Sequence, residues 1–188
     1  PDSGTSLEAI VRGCQRAGID CAAVTDHNCI QGALELHSCG TIRVIVGEEI
    51  RTMEGELLGL FLSEVVPSGL TPLDTIARVK SQGGLVCLPH PFSRWPVFRS
   101  DKLGTKNGPG FTPSGSLRRW NRLLTPEVLS AIDMIEIVNS RTPFSGNLAA
   151  SRRLALLCGL PGTAGSDAHT EREIGRARME MPDFSDAQ

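Results

Sequence analysis

Apolar and polar positions alternate along this chain with two different periods. In TSLEAIVRGCQRAGI the apolar residues Leu7, Ile10 and Cys14 fall on one face of a helix, and CAAVT after it is a short apolar run typical of a buried strand. Further helices are predicted in CIQGALELHSCG, TPLDTIARVKSQG, TPEVLSAI and NLAASRRLALLCG, and further strands in IRVIVGEEI, GELLGLFL, GLVCLP, MIEIVN and LPGTAG. Helices that alternate with apolar strands predict a parallel sheet covered by helices, either open or closed into a barrel.

Capping residues mark the ends of two predicted helices. Thr5 and Glu8 have the spacing of a capping box at the start of the first helix, which Gly18 ends. Thr71 and Asp74 have the same spacing at the start of the third helix. Both helices are therefore predicted with defined first residues.

The composition is that of an ordinary globular protein. The 188 residues are 40% hydrophobic and carry a net charge of −2, which fits one domain over residues 1–188. This charge balance argues against a surface that coats nucleic acid, and no apolar run is long enough to cross a membrane. Because the chain begins abruptly at Pro1, we expect an N-terminally truncated fragment.

The six cysteines do not form a recognisable pattern. No C-x-x-C pair is present, which argues against a cysteine zinc cluster. Cys14, Cys21, Cys87 and Cys158 lie among apolar residues, where cysteine acts as a small hydrophobic side chain. We therefore predict free thiols and a cytoplasmic location.

Metal-ligating residue types gather at the carboxyl ends of the predicted strands. They are Asp26, His27, Glu49, His90, Glu136, Asn139, Asp167 and His169. In a parallel α/β barrel the carboxyl ends of the strands hold the active site. Asp167 and His169 are two residues apart at a strand end, so both side chains point the same way and can reach one ion or two adjacent ions.

The donor types predict the kind of metal. Histidine nitrogens and carboxylate oxygens without a thiolate suit zinc, manganese or iron. Several carboxylates with several histidines exceed the needs of one tetrahedral ion, so we predict a cluster of two or three divalent ions. Glu49 could bridge two of them, and paired ions activate water in phosphoryl transfer.

Five ordered segments, AVTDHN, VGEEI, LVCLPHPF, IEIVNSR and AGSDAH, resemble motifs of the polymerase and histidinol phosphatase (PHP) family of metal-dependent phosphoesterases. The resemblance implies a distorted (β/α)7 TIM-like barrel with a trinuclear metal site. Members of the family hydrolyse nucleotide and nucleoside phosphates, histidinol phosphate or short oligonucleotides. The resemblance implies a bridging role for Glu49 and metal-ligand roles for His27, His90, Asp167 and His169.

The chain departs from the family pattern in two places. The H-x-H pair of the first strand is missing, and PDSGTS resembles the segment just after it, which makes Asp2 a candidate ligand. Many members place a histidine shortly after the bridging glutamate, whereas GELLGLFL contains none, and Leu58 or a neighbour stands in that position. We therefore expect the chain to lack ligands for one metal position.

Three acidic residues near the motifs have open roles. Asp26 either orients a ligand histidine or caps the next helix. Glu48 is predicted to be solvated, because Glu49 fits the motif. Glu136 could hold another residue's backbone or a ligand histidine, or serve the fold alone.

The segment at about residues 93–122 is a basic insertion rich in Gly, Pro and Ser. It is interpreted either as a solvated insert or as a basic rim that attracts phosphate. Arg94, next to the His90 motif, and Arg141, just after Asn139, are the candidates to neutralise a phosphate.

Together these features predict a hydrolase that cleaves a phosphate ester with a metal-activated water. The expected partner is a small phosphorylated substrate such as a nucleotide or short oligonucleotide, and not a membrane. Two alternatives remain open: a non-catalytic PHP scaffold with a decayed metal site, and a metal-dependent amidohydrolase on a similar barrel.

Overall fold

The computed structural model describes residues 3–93, 121–142 and 144–187. Each helix and strand predicted from the sequence has a counterpart. The helices are α1 (Leu7–Ala17), α2 (Gln31–Cys39), α3 (Pro72–Ser81), α4 (Pro126–Ala131) and α5 (Ser145–Cys158). The strands are β1 (Cys21–Val24), β2 (Arg43–Arg51), β3 (Glu56–Leu60), β4 (Leu85–Leu88), β5 (Met134–Asn139) and β6 (Gly162–Gly165).

The six strands form one sheet in sequential order, and the sheet is mixed rather than parallel. β1 and β2 are parallel, as are β4, β5 and β6, but β3 runs antiparallel to both of its neighbours. The prediction of an all-parallel sheet is therefore wrong at β3. The reason is the short link between β2 and β3, closed by a hydrogen bond of 2.7 Å from the Thr52 amide to the Gly55 carbonyl, because a parallel pair needs a far longer crossover.

The sheet curls into a half-barrel whose end strands are β1 and β6. In the described residues the sheet has six strands and does not close into the seven-stranded barrel that the family resemblance implies. Its convex face packs against helices, and its concave face lines a groove. We call these the core face and the groove face.

Strand alternation assigns residues to the two faces. On the core face Ile50, Leu57 and Leu88 are fully buried, and they share one core with Val79 of α3 and Leu154 of α5. The next residues along the same strands face the groove. The hydrophobic pattern of the strands thus builds the core and exposes the opposite set of side chains to the groove.

Glu48 lies on the core face, and the prediction that it is solvated is wrong. Its side chain is fully buried, and its Oε2 accepts a hydrogen bond of 2.8 Å from the Val66 amide. Its Oε1 has no hydrogen-bond partner among the described residues. Burial raises the pKa of Glu48, and the hydrogen bond from Val66 opposes the rise. The cause of this placement is alternation, since Glu49 faces the groove.

The prediction of the N-cap residue is wrong for α1 and correct for α3. Ser6 caps α1 by accepting a hydrogen bond from the Ala9 amide, so the prediction of Thr5 as the cap is wrong by one residue. The Thr5 hydroxyl instead donates to the carbonyl of His169, at 2.9 Å. Thr71 caps α3 as predicted, accepting from the Asp74 amide at 3.2 Å.

All six cysteines are present as thiols outside any disulfide, as predicted. Among the described residues, no helix is both long and apolar enough to cross a membrane.

Candidate metal centre

His27 and Glu49 are brought together by an extension of the β1–β2 pairing. The Glu49 amide donates to the Asp26 carbonyl at 3.1 Å, and the Asn28 amide donates to the Glu49 carbonyl at 3.0 Å. His27 thereby becomes the backbone partner of Glu49 in a parallel bridge. The Nε2 atom of His27 lies 3.7 Å from Oε2 of Glu49.

The second oxygen of Glu49 faces a different histidine. Oε1 of Glu49 lies 3.3 Å from Nε2 of His90, which follows β4. The two carboxylate oxygens are therefore directed at two different imidazole rings. A carboxylate placed in this way can contact one ion through each oxygen.

Glu136 of β5 fixes the backbone at His90. Its Oε2 accepts a hydrogen bond of 2.7 Å from the His90 amide. His90 has a backbone φ of 26°. Residues other than glycine rarely adopt a positive φ, and such residues are frequent at functional sites. Of the roles left open by the sequence, Glu136 thus holds another residue's backbone.

Close packing limits where the Glu136 side chain can lie. A Cβ atom at Gly165 would come within 2.5 Å of Glu136 Oε1. Glycine at this position of β6 therefore leaves the space that the carboxylate occupies.

A β-bulge turns Asn139 into the same site. Strict alternation would direct Glu136 and Asn139, three residues apart, to opposite faces of the sheet. The register against β6 shifts between Glu136 and Val138, so Ile137 is an extra residue and both polar side chains face the groove. Asn139 Nδ2 donates to Glu136 Oε2 at 3.0 Å and to Asp167 Oδ2 at 3.2 Å.

The Asp167–His169 segment completes the site. Asp167 has a φ of 50°, and its carbonyl oxygen lies 3.0 Å from Nδ1 of His169. A proton on Nδ1 satisfies this contact and leaves the lone pair on Nε2, the arrangement common for a metal-binding histidine. The His169 amide donates to Glu173 Oε2 at 2.9 Å, which ties the segment to the short turn after it.

The charges of the site influence one another strongly. Burial alone lowers the pKa of His90, but the hydrogen bond to Glu49 and the nearby carboxylates of Glu136 and Asp167 outweigh burial and raise it to about 9. Burial raises the pKa of Glu136, opposed by hydrogen bonds from Asn139 and from the His90 amide. The nearby carboxylates therefore favour the protonated form of the His90 ring.

One residue that sequence reasoning missed lies in this site. One ligand atom each from Glu56, His27 and Glu49 lie within 4.8 Å of one another. Glu56 belongs to GELLGLFL, the segment from which no ligand was expected. The signal that could have found it is the hairpin register, because Leu58 pairs with Glu49 and Glu56 lies two residues away on the same face.

The chain is similar to known proteins in sequence. Residues 147–188 match the family model described as PHP-associated. The resemblance to the PHP family is confirmed. Two Methanocaldococcus jannaschii proteins are similar in sequence: uncharacterized protein MJ1587, 45% identical over 96 residues, and uncharacterized protein MJ0417, 34% identical over 142 residues. The matches cover 50% and 75% of this chain but 56% and 52% of those proteins, so the chain spans about half of their length.

Three solved structures share the fold. A protein from Bifidobacterium adolescentis, provisionally named a metal-dependent phosphoesterase, has a TM-score of 0.62 at 13% identity, covering 99% of this chain and 89% of that one. A two-domain protein from Bacteroides vulgatus that contains a predicted PHP-like metal-dependent phosphoesterase has a TM-score of 0.54 at 19% identity, covering 86% and 47%. An amidohydrolase from Chromobacterium violaceum, with bound sulfate and no metal, has a TM-score of 0.69 at 12% identity, covering 96% and 88%.

Of the other site residues predicted from the sequence, the structure describes Arg141 and Asp26. The Arg141 amide donates to Asn139 Oδ1 at 2.8 Å, and its Nη1 lies 3.5 Å from Glu173 Oε1, so the guanidinium is beside the site. Asp26 contributes its backbone carbonyl to Glu49, and within the described ranges no hydrogen bond joins its carboxylate to a histidine. Asp2, Arg94 and most of the basic insertion lie outside the described residues.

The donor set suits divalent cations. Imidazole nitrogens and carboxylate oxygens are ligands that zinc, manganese and iron accept. One series of contacts connects the site along the groove. It runs from His27 through Glu49 and His90 to Glu136. It continues from Asn139 to Asp167 and His169. The candidate ligands are His27, Glu49, His90, Asp167 and His169, as predicted from the sequence, and Glu56 is a further donor near His27 and Glu49.

Proposed function

We propose that this protein is a PHP-type hydrolase that cleaves a phosphate ester with the help of two or three divalent metal ions. The observation that carries the proposal is the position of Glu49, whose two oxygens lie 3.3 Å and 3.7 Å from the rings of His90 and His27. A carboxylate shared by two ions would need this placement. Zinc, manganese and iron are the proposed ions.

The side chains around Glu49 support this chemistry by holding their neighbours. Bound ions would act as Lewis acids and lower the pKa of a water molecule that attacks the phosphorus. Glu136 fixes the His90 backbone, and Asn139 fixes Oδ2 of Asp167. Ser3 and Thr5 donate to the His169 carbonyl, at 3.3 Å and 2.9 Å. Candidate ligands are thereby oriented before any substrate arrives.

Arg141 is proposed to neutralise the phosphate, with Arg94 as a second candidate. Arg141 is half-exposed, with 45% of its side chain accessible, and its contact to Glu173 is long enough to be exchanged for a substrate oxygen. Guanidinium groups bind phosphate through two parallel hydrogen bonds. The substrate is proposed to be a small phosphorylated molecule, such as a nucleotide or a short oligonucleotide.

Amide hydrolysis is the second candidate function. The Chromobacterium violaceum amidohydrolase shares the fold over 96% of this chain. At 12% identity this likeness concerns the fold alone, so the amide remains a competitor rather than the leading substrate.

A substrate comparison tests the proposal. The full chain is loaded separately with zinc, manganese and iron, and each preparation is assayed on a nucleoside monophosphate, a short oligonucleotide and a small amide. We expect phosphate ester hydrolysis that a chelator abolishes and the restored metal recovers. Activity on the amide alone would replace the phosphoesterase proposal. Bound metal without activity on any of the three would favour a non-catalytic scaffold.

A further inference from the structure

Glu56, the first residue of β3, brings a third donor to the pair formed by His27 and Glu49. One ligand atom from each of the three side chains lies within 4.8 Å of the other two. The register explains this approach, because Leu58 pairs with Glu49 and side chains two residues apart on a strand share a face. The cluster is thus a direct result of the β2–β3 hairpin.

Two of the three donors in this cluster are carboxylates. Glu49 and Glu56 place two carboxylates close together, and like charges at such a separation repel. Arg51 is the register partner of Glu56, yet within the described part of the chain no hydrogen bond or ion pair engages the Glu56 carboxylate. A divalent cation between the three donors would offset the repulsion and use all three of them.

We propose that Glu56 is a direct metal ligand, and that with His27 and Glu49 it forms a site of one imidazole and two carboxylates whose selectivity is shifted from zinc toward manganese. This inference rests on the proposed function, since it concerns one ion of the same centre. The family resemblance led us to expect a lost ligand in this segment. Glu56 supplies a ligand of different chemistry instead.

The donor atoms explain the shift in selectivity. Carboxylate oxygens suit manganese and magnesium, whereas imidazole nitrogens suit zinc and iron. Zinc binds most sites more tightly than manganese does. We therefore define the shift by the ratio of zinc affinity to manganese affinity. This ratio should be lower with Glu56 as the third donor than with an imidazole in its place. Glu56→His creates that reference without removing a ligand.

Metal binding to the full chain provides the test. Manganese and zinc are added separately to metal-free protein, and bound metal is measured by equilibrium dialysis and elemental analysis. For Glu56→Gln we expect both ions to bind at least about tenfold more weakly, because losing a residue that only supports a ligand already costs about 10–100-fold in metal affinity. For Glu56→His we expect binding to persist and the zinc-to-manganese affinity ratio to rise above that of the wild type.

Two further variants control for charge. Glu54→Gln changes an exposed carboxylate two residues earlier in the same hairpin, and we expect it to bind both ions as the wild type does. Arg51→Gln removes the register partner of Glu56 and should also leave metal affinity unchanged. Equal losses in Arg51→Gln and Glu56→Gln would show that Glu56 acts through charge pairing in the hairpin, which overturns its role as a ligand.

The remaining outcomes separate this inference from the proposed function. Unchanged metal affinity in Glu56→Gln, with a wild type that binds metal, overturns the ligand role and leaves the proposed function standing. A wild type that binds neither ion overturns both. An unchanged zinc-to-manganese ratio in Glu56→His overturns the selectivity. If circular dichroism shows that Glu56→Gln does not fold, the ratio in Glu56→His decides alone.

Discussion

Glu48 and Glu49 are neighbours on β2, but they occupy opposite environments. Glu48 is fully buried on the core face, where its only described partner is the Val66 amide. Glu49 faces the groove, between the rings of His27 and His90. The two residues are of the same type and lie on the same strand. The comparison teaches that the face of the sheet, and not the residue type, decides whether a carboxylate is structural or available for chemistry.

The same division continues on β3. Leu57 is fully buried in the core, whereas Leu58 is half-buried and pairs with Glu49 on the groove face. Substitutions on the core face should therefore change the free energy of unfolding, and those on the groove face should change metal binding and turnover. Four predictions test this separation.

Leu57→Ala should lower the free energy of unfolding by about 2–5 kcal/mol, because it removes buried contacts and leaves a cavity. The measurement is urea denaturation of metal-free protein. Leu58→Ala is the matched control, and its half-buried side chain should cost less. Comparable losses in the two variants would contradict the assignment of faces.

Glu49→Gln should weaken metal affinity by about a hundredfold or more, because the carboxylate faces both histidines. Loss of a residue that only orients a metal ligand costs up to about a hundredfold in metal affinity. Wild type at a metal concentration of 100 times Kd should gain about 2.7 kcal/mol of stability from the ions, and Glu49→Gln should lose most of that gain. Dialysis and thermal melts with and without metal measure the two effects. Glu48→Gln changes the neighbouring residue and serves as the control, which should retain metal. Full retention of metal by Glu49→Gln would exclude a bridging role for Glu49.

Arg141→Lys should raise the activation free energy for hydrolysis of a small phosphate ester by about 1.5–3 kcal/mol, which lowers kcat/KM about ten- to a hundredfold, while metal content stays normal. Lysine keeps the charge but cannot form the two parallel hydrogen bonds of a guanidinium. Steady-state kinetics measure the loss. Arg152→Lys, at an exposed position of α5, is the control. Equal activity in both variants would remove Arg141 from phosphate recognition.

Glu48→Gln should flatten the pH dependence of stability. Burial raises the pKa of Glu48 in the folded chain, so the fold favours the protonated carboxyl. Stability from this group is highest below its ordinary pKa and falls as the pH rises through the raised value. Denaturant unfolding of wild type and variant across the acidic to neutral range isolates the effect as a difference between the two curves. Parallel curves would mean that Glu48 does not titrate differently in the folded state.

Much of the candidate site could be predicted because it depends on strand ends. His27, Glu49 and His90 each follow or end an apolar run, and the structure brings all three into contact through Glu49. Asp167 and His169 join them through Asn139. The ligand roles themselves stay predictions until metal is measured.

What could not be predicted depends on register. Glu56 reaches His27 only because β3 runs antiparallel to β2, whereas the strand pattern of the sequence predicts a parallel sheet. Asn139 reaches Asp167 only because Ile137 is inserted as a bulge. Periodicity identifies strands and their alternation, but it does not show where alternation is interrupted or which residues pair across strands. Asp2 and Arg94 lie outside the described residues and stay predictions.

Gly165 has a consequence for anyone who redesigns this groove. It has no side chain, yet a methyl group there would meet Glu136 Oε1 at 2.5 Å. The carboxylate could yield only by rotating, and rotation would draw Oε2 away from the His90 amide and from Asn139. A substitution as small as alanine would thus be transmitted to two side chains of the metal site. In a mutational library, substitutions at this uncharged position should therefore affect metal binding.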